Sequence, residues 1–168
     1  MRGALLRLGV ACAALLLALS TSLPAAARDA NGPGDSLWMP IGLNVGYSMN
    51  PAPLSNGLLL GPELSLVYFD QDAYWLGAYT EALRDFGAEE WRVGGGLEGG
   101  FANFGLDVGY QGILGRDGGH ALRSRLIFSM VLVQIYGGVG ARLLEPKAPV
   151  YGELGLLLKF PFELGKLD

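Results

Sequence analysis

Apolar residues recur at every second position along most of this chain, while glycine, polar and charged residues fill the places between them. Leu37, Met39, Ile41, Leu43, Val45 and Tyr47 interleave with Pro40, Gly42, Asn44, Gly46 and Ser48. Phe104, Leu106, Val108 and Tyr110 interleave in the same way with Gly105, Asp107, Gly109 and Gln111. A period of two belongs to an extended strand, whose successive side chains point to opposite faces. Charges sit in the smaller, polar set on most strands, and a chain of 168 residues is too short to hide so large an apolar face between stacked layers. The pattern predicts an all-β fold, an eight-stranded antiparallel up-and-down transmembrane β-barrel whose apolar face meets lipid.

The strands are expected at 37–48, 57–69, 74–85, 91–102, 104–113, 120–129, 131–143 and 150–162, each near or above the ~9 to 11 tilted residues that cross a bilayer. Their connections alternate between longer ones (Met49 to Asn56, Phe86 to Glu90, Leu114 to Gly119, Leu144 to Pro149) and short ones (Asp70 to Ala73, and turns at Asn103 and Met130). That alternation is the asymmetry of a barrel with external loops at one end and periplasmic turns at the other. An even number of strands returns both ends of the barrel to the turn side.

The first residues carry an export signal. Arg2 and Arg7 precede an apolar run from Val10 to Leu19, and Ala25, Ala26 and Ala27 supply a small-residue cleavage site. The run is shorter than the ~18 to 20 residues of a spanning helix. The expected organisation is a signal peptide over 1–27, a flexible lead over 28–36, the barrel over 37–162 and a tail over 163–168. Cleavage removes Cys12, the only cysteine, and with it any disulfide or thiolate chemistry. The chain holds 12 basic and 16 acidic residues, and loses Arg2 and Arg7 with the leader, so nucleic acid is excluded as a partner. With 51% hydrophobic residues, 27 glycines and only 17% charged residues, the composition suits barrel strands better than a soluble domain.

Carrying the alternation along each strand turns Glu63, Glu81, Glu98, Asp107 and Glu153 inward, together with Arg92, Arg123, Arg125, Arg142 and Lys159. Five acids then meet five bases. Charges buried in a narrow lumen are tolerated when paired, so these ten residues form an expected lumenal charge network. Hairpin folding suggests Arg142 beside Glu153 and Asp85 near Arg92. Glu63 and Glu81 come out opposite each other and need a cation between them, Arg123 or Arg125. An interior of eight strands is just wide enough for side chains to fill it, so a plug of ion pairs is expected, with a narrow gated path for ions or small solutes as the alternative.

On these residues the chain resembles the small outer-membrane barrels of the OmpA and OmpX type. The last strand carries the most specific likeness: Glu153, Gly155, Leu158 and Phe160 resemble the polar, glycine, hydrophobic and aromatic signal that the barrel assembly machinery recognises in this superfamily. In that superfamily the terminal aromatic usually ends the chain, whereas Phe160 and Phe162 here precede Glu163 to Asp168. The resemblance implies a monomeric outer-membrane protein with lipid and the assembly machinery as partners, and a lumenal acid and base cluster that plugs or gates the pore. Tyr47, Tyr68, Tyr74, Trp91, Phe101, Phe104, Phe128 and Phe162 lie near strand ends, where aromatic girdles meet the two interfaces.

Other chemistries fare worse. Gly94, Gly96 and Gly99 spell a dinucleotide-binding pattern, but Trp91, Val93, Leu97 and Phe101 carry the two-residue period straight through it, leaving no helix to follow. The single histidine, His120, is four residues from Ser124, roughly 13 Å along a strand, too far for a nucleophile and its base. Asp70, Asp72 and Asp117 are turn residues rather than calcium ligands. No enzyme activity, metal or cofactor is therefore expected, and external loops this short leave little room for a large protein partner. A secreted lipocalin-like barrel holding a small apolar ligand is the remaining alternative, and it requires an apolar interior.

Overall fold

Pro40 and Pro161 decide how the barrel closes. Proline offers no N–H to a ladder and interrupts the strand that contains it, so the first stave is broken into β1 (Ser36–Trp38) and β2 (Ile41–Met49), and the last into β9 (Val150–Phe160) and β10 (Glu163–Lys166). Between them run β3 (Gly57–Phe69), β4 (Tyr74–Asp85), β5 (Glu90–Phe101), β6 (Phe104–Leu114), β7 (Gly119–Met130) and β8 (Val133–Leu143). The computed structural model describes residues 35–50, 54–115, 118–130, 132–143 and 150–166. The expected signal peptide with Cys12, most of the lead, and Asp117 lie outside them.

Each strand from β2 to β9 pairs antiparallel with the next, and β2 also pairs with β9, from Ile41 opposite Phe160 to Met49 opposite Gly152. Eight staves close on themselves without a free edge through the wall. The fold is an all-β, eight-stranded, up-and-down antiparallel barrel. Below the proline breaks, β1 pairs with β3 on one side and β10 on the other. Residues set apart in the sequence as a tail thus form a short strand. Met39 N donates to Phe162 O at 2.8 Å and Ser65 N to Pro40 O at 2.9 Å, which keeps the staves joined across the breaks.

Alternation sorts the side chains as the pattern requires. In β2 every second residue is buried, from Gly42 to Ser48, and the residues between are exposed. The outer wall is a belt of exposed leucine, valine and aromatic side chains, including Leu126 at 70%, Leu97 at 66% and Val139 at 60%. Among the described residues the interior holds two small apolar clusters. Val67, Trp75, Ile127, Tyr136 and Leu157 pack toward the turn end, and Ile113, Ala121 and Tyr151 toward the loop end. Charged side chains fill the space between.

Candidate functional site

The ten inward residues named from the sequence are all buried: Glu63, Glu81, Arg92, Glu98, Asp107, Arg123, Arg125, Arg142, Glu153 and Lys159. Asp85 and Glu90 are buried with them. The expected balance of five acids and five bases is therefore corrected to seven acids and five bases among the described residues. The extra two belong to the β4–β5 hairpin. Asp85 and Glu90 pair directly across it, so the inward phase of the strands runs on into residues that the sequence assigns partly to a loop.

The network is built in tiers. At the loop end Arg92 bridges Asp85 (Nη2 to Oδ2, 2.5 Å) and Glu90 (Nε to Oε1, 3.1 Å), and Arg142 Nη2 meets Glu90 Oε1 at 2.5 Å. Asn50 closes this tier from the β2–β3 connection: its Nδ2 donates to Asp85 Oδ2 at 3.1 Å, and its Oδ1 accepts from Arg92 Nη2 at 2.9 Å. Below it Arg123 reaches Glu81 at 2.6 Å and Glu153 at 3.3 Å. Glu63 lies directly opposite Glu81, and the cation between them is Arg125, with Nη2 3.1 Å from Glu63 and Nη1 3.5 Å from Glu81. Its Nε also donates to Asp107 Oδ2. At the turn end Lys159 Nζ holds Glu63 at 2.9 Å, Glu98 at 3.1 Å and the Ser65 hydroxyl at 2.9 Å.

One expected pairing is corrected. Arg142 does not lie beside Glu153, because the β8–β9 register puts Glu153 opposite Gly138. Glu153 instead faces Arg123 and, at 3.9 Å, Arg92. It accepts no well-aligned hydrogen bond, which makes it the most loosely held carboxylate of the set. Arg92 and Asp85, the other suggested pair, are in contact.

Tyrosines complete the interior, beyond the charged residues expected there. Arg92 lies 4.3 Å from the centre of the Tyr151 ring, and Arg125 sits between Tyr79 and Tyr136, 5.0 Å from each. Desolvated guanidinium groups gain from the negative faces of such rings. Tyr136 OH donates to Asn44 Oδ1 and Tyr151 OH to Gln111 Oε1, both at 2.7 Å. Glycine makes room for each ring: a Cβ at Gly140 would overlap Tyr151, one at Gly109 would overlap Tyr79, and one at Gly46 or Gly155 would press on Tyr136. The available signal was phase, since Tyr79, Tyr136 and Tyr151 occupy the same alternate positions as the buried charges.

Of the residues expected to form an assembly signal, Glu153 is buried, Gly155 and Leu158 are half-buried and Phe160 faces outward on β9. His120 lies on the outer face of β7, stacked on Tyr110 with Nδ1 2.5 Å from its hydroxyl. At the turn end Tyr74 packs on Phe101 and Phe104 on Phe128, with ring centres 5.0 and 5.2 Å apart. A cavity of about 90 Å³ opens there between Trp75, Val67, Glu98 and Lys159.

No family model and no curated protein matches the chain. Among solved structures, it is similar to the outer membrane protein Ail of Yersinia pestis, whose backbone was determined in a phospholipid bilayer nanodisc. The TM-score is 0.42 and the identity 13%, over 72% of this chain and 99% of that one.

Proposed function

We propose that this chain is a monomeric, non-enzymatic outer-membrane protein, exported through a cleaved signal peptide, with a structural or surface-interaction role and a lumen plugged by its ion pairs. The observation that carries this reading is the inverted distribution of polarity. Among the described residues, leucine and valine cover the outside while seven carboxylates and five cations occupy the inside. In water such an exterior is an aggregation hazard, whereas in hydrocarbon it is the favourable solvent contact, and closure leaves no unpaired backbone edge for lipid to meet. A lipocalin-like carrier needs the opposite arrangement, an apolar chamber inside a wetted wall. Glu153, Gly155, Leu158 and Phe160 serve in this reading as the signal that hands the chain to the assembly machinery. The test is fractionation with gel mobility before and after boiling. A heat-modifiable species in the outer membrane is expected, and a soluble periplasmic one overturns the proposal.

A second reading, a narrow gated path for cations, is favoured by the excess of acids among the described residues and by Arg125, a cation shared between Glu63 and Glu81. Replacing Arg123 and Arg125 together by alanine removes both bridges at that tier. A raised, cation-selective single-channel current in the double variant supports a gate held shut by these arginines. A folded double variant with unchanged current leaves the plug without a gating role.

A further inference from the structure

Among the described residues, every arginine but one is inside the barrel and paired with a carboxylate. The exception is Arg84. Alternation along β4 buries Leu83 and Asp85 and turns Arg84 outward, one residue from the loop end of its strand. Across the ladder its neighbours are Leu60 on β3 and Trp91 on β5. Its guanidinium carbon lies 6.0 Å from the Phe86 ring centre and 5.9 Å from that of Trp91. No carboxylate or hydrogen-bond acceptor of the described residues engages it. Phe86 and Trp91 are themselves half or nearly half exposed, at 53% and 46%.

A guanidinium presents its N–H groups in a planar fork that fits an oxyanion in bidentate fashion. Here the flat group lies beside two aromatic rings at the rim of an apolar belt, where aromatic side chains mark the level of lipid headgroups. The anion present at that depth is the headgroup itself. We propose that Arg84, Phe86 and Trp91 form a binding site for the phosphate of an anionic membrane lipid, the guanidinium taking the phosphate while the two rings lie against the upper acyl chain. This inference rests on the membrane reading above.

The test uses Trp91 as a local reporter. The full-length mature barrel is folded into phosphatidylcholine vesicles that carry a trace of brominated phosphatidylglycerol or, separately, of brominated phosphatidylcholine, and tryptophan quenching is compared. An attraction of about 1 kcal/mol per basic residue near a lipid surface corresponds to roughly a five-fold preference for the anionic lipid. That preference is expected in the wild type, to fall to near unity in Arg84→Gln, to persist in part in Arg84→Lys, and to vanish from the signal in Trp91→Phe. All variants should keep heat-modifiable mobility, because Arg84 is outside the packed lumen. Equal quenching by the two lipids in the wild type, or an unchanged preference in Arg84→Gln, overturns the site. A change in Trp91 emission on adding millimolar inorganic phosphate to barrels in pure phosphatidylcholine assigns the site to a free anion and overturns the lipid. If neither brominated lipid quenches any tryptophan, the membrane reading itself falls and the site with it.

Discussion

Arg125 shows what a buried charge does when its partners are fixed by a closed sheet. It faces Glu63, Glu81 and Asp107 at once and is flanked by two tyrosine rings. Removing it leaves carboxylates buried without their shared cation, a change that costs about 3 to 5 kcal/mol where one partner of a buried pair is lost. Arg125→Ala is therefore expected to lower the unfolding midpoint of the lipid-embedded barrel in urea strongly, and Arg125→Ala with Glu81→Gln to recover part of the loss. Gly140 illustrates the complementary rule, that a large ring needs an empty place beside it. A Cβ there overlaps the Tyr151 ring, so Gly140→Ala is expected to destabilise by about 1 to 3 kcal/mol, the usual cost of overpacking. The same change made with Tyr151→Ala should cost far less than the two singles together, a coupling that a double-mutant cycle in urea measures.

The hairpins carry strain of a kind readable residue by residue. Phe101 pairs directly with Phe104, leaving Ala102 and Asn103 as the entire β5–β6 turn, and Ala102 takes a φ of 48°. A side chain in the left-handed region is disfavoured by about 1 kcal/mol or more relative to glycine. Ala102→Gly is expected to stabilise the barrel by roughly that amount, measured as a shift of the urea midpoint. The turn is otherwise well held, since Asn103 exchanges two hydrogen bonds with Ser129. Strand limits were largely legible in the sequence, because most of them fall where a local period of two stops. The misjudged ends have local explanations too. Glu90 begins β5 because the β4–β5 hairpin closes one pair further out, and the first stave breaks at Pro40, where the ladder lacks a donor. The pairing of β10 with β1 was not legible, as four residues with no buried side chain carry no periodic signal.

Taken whole, the barrel is an inside-out arrangement whose stability depends on what touches its wall. Val139 lies near the middle of β8 and is 60% exposed. An arginine on the lipid face at the bilayer midplane costs about 2 to 4 kcal/mol, against almost nothing on a wetted surface. Val139→Arg is expected to lose that amount in vesicles while remaining folded in detergent micelles, and an equal stability to wild type in vesicles would mean that water, not hydrocarbon, meets this face. The division between wall and lumen follows from the alternation alone, since a strand has only two faces and the pattern marks each residue for one of them. Partner choice across the lumen does not follow. It depends on the stagger between strands that are neighbours only after closure, and that stagger accumulates from loop lengths, bulges and the two proline breaks around the ring. So the burial of Arg142 and Glu153 was visible residue by residue. Pairing Arg142 with Glu90, choosing Arg125 rather than Arg123 as the cation between Glu63 and Glu81, and seating Asn50 over the loop-end tier required the closed barrel, because each joins strands that no single hairpin brings together.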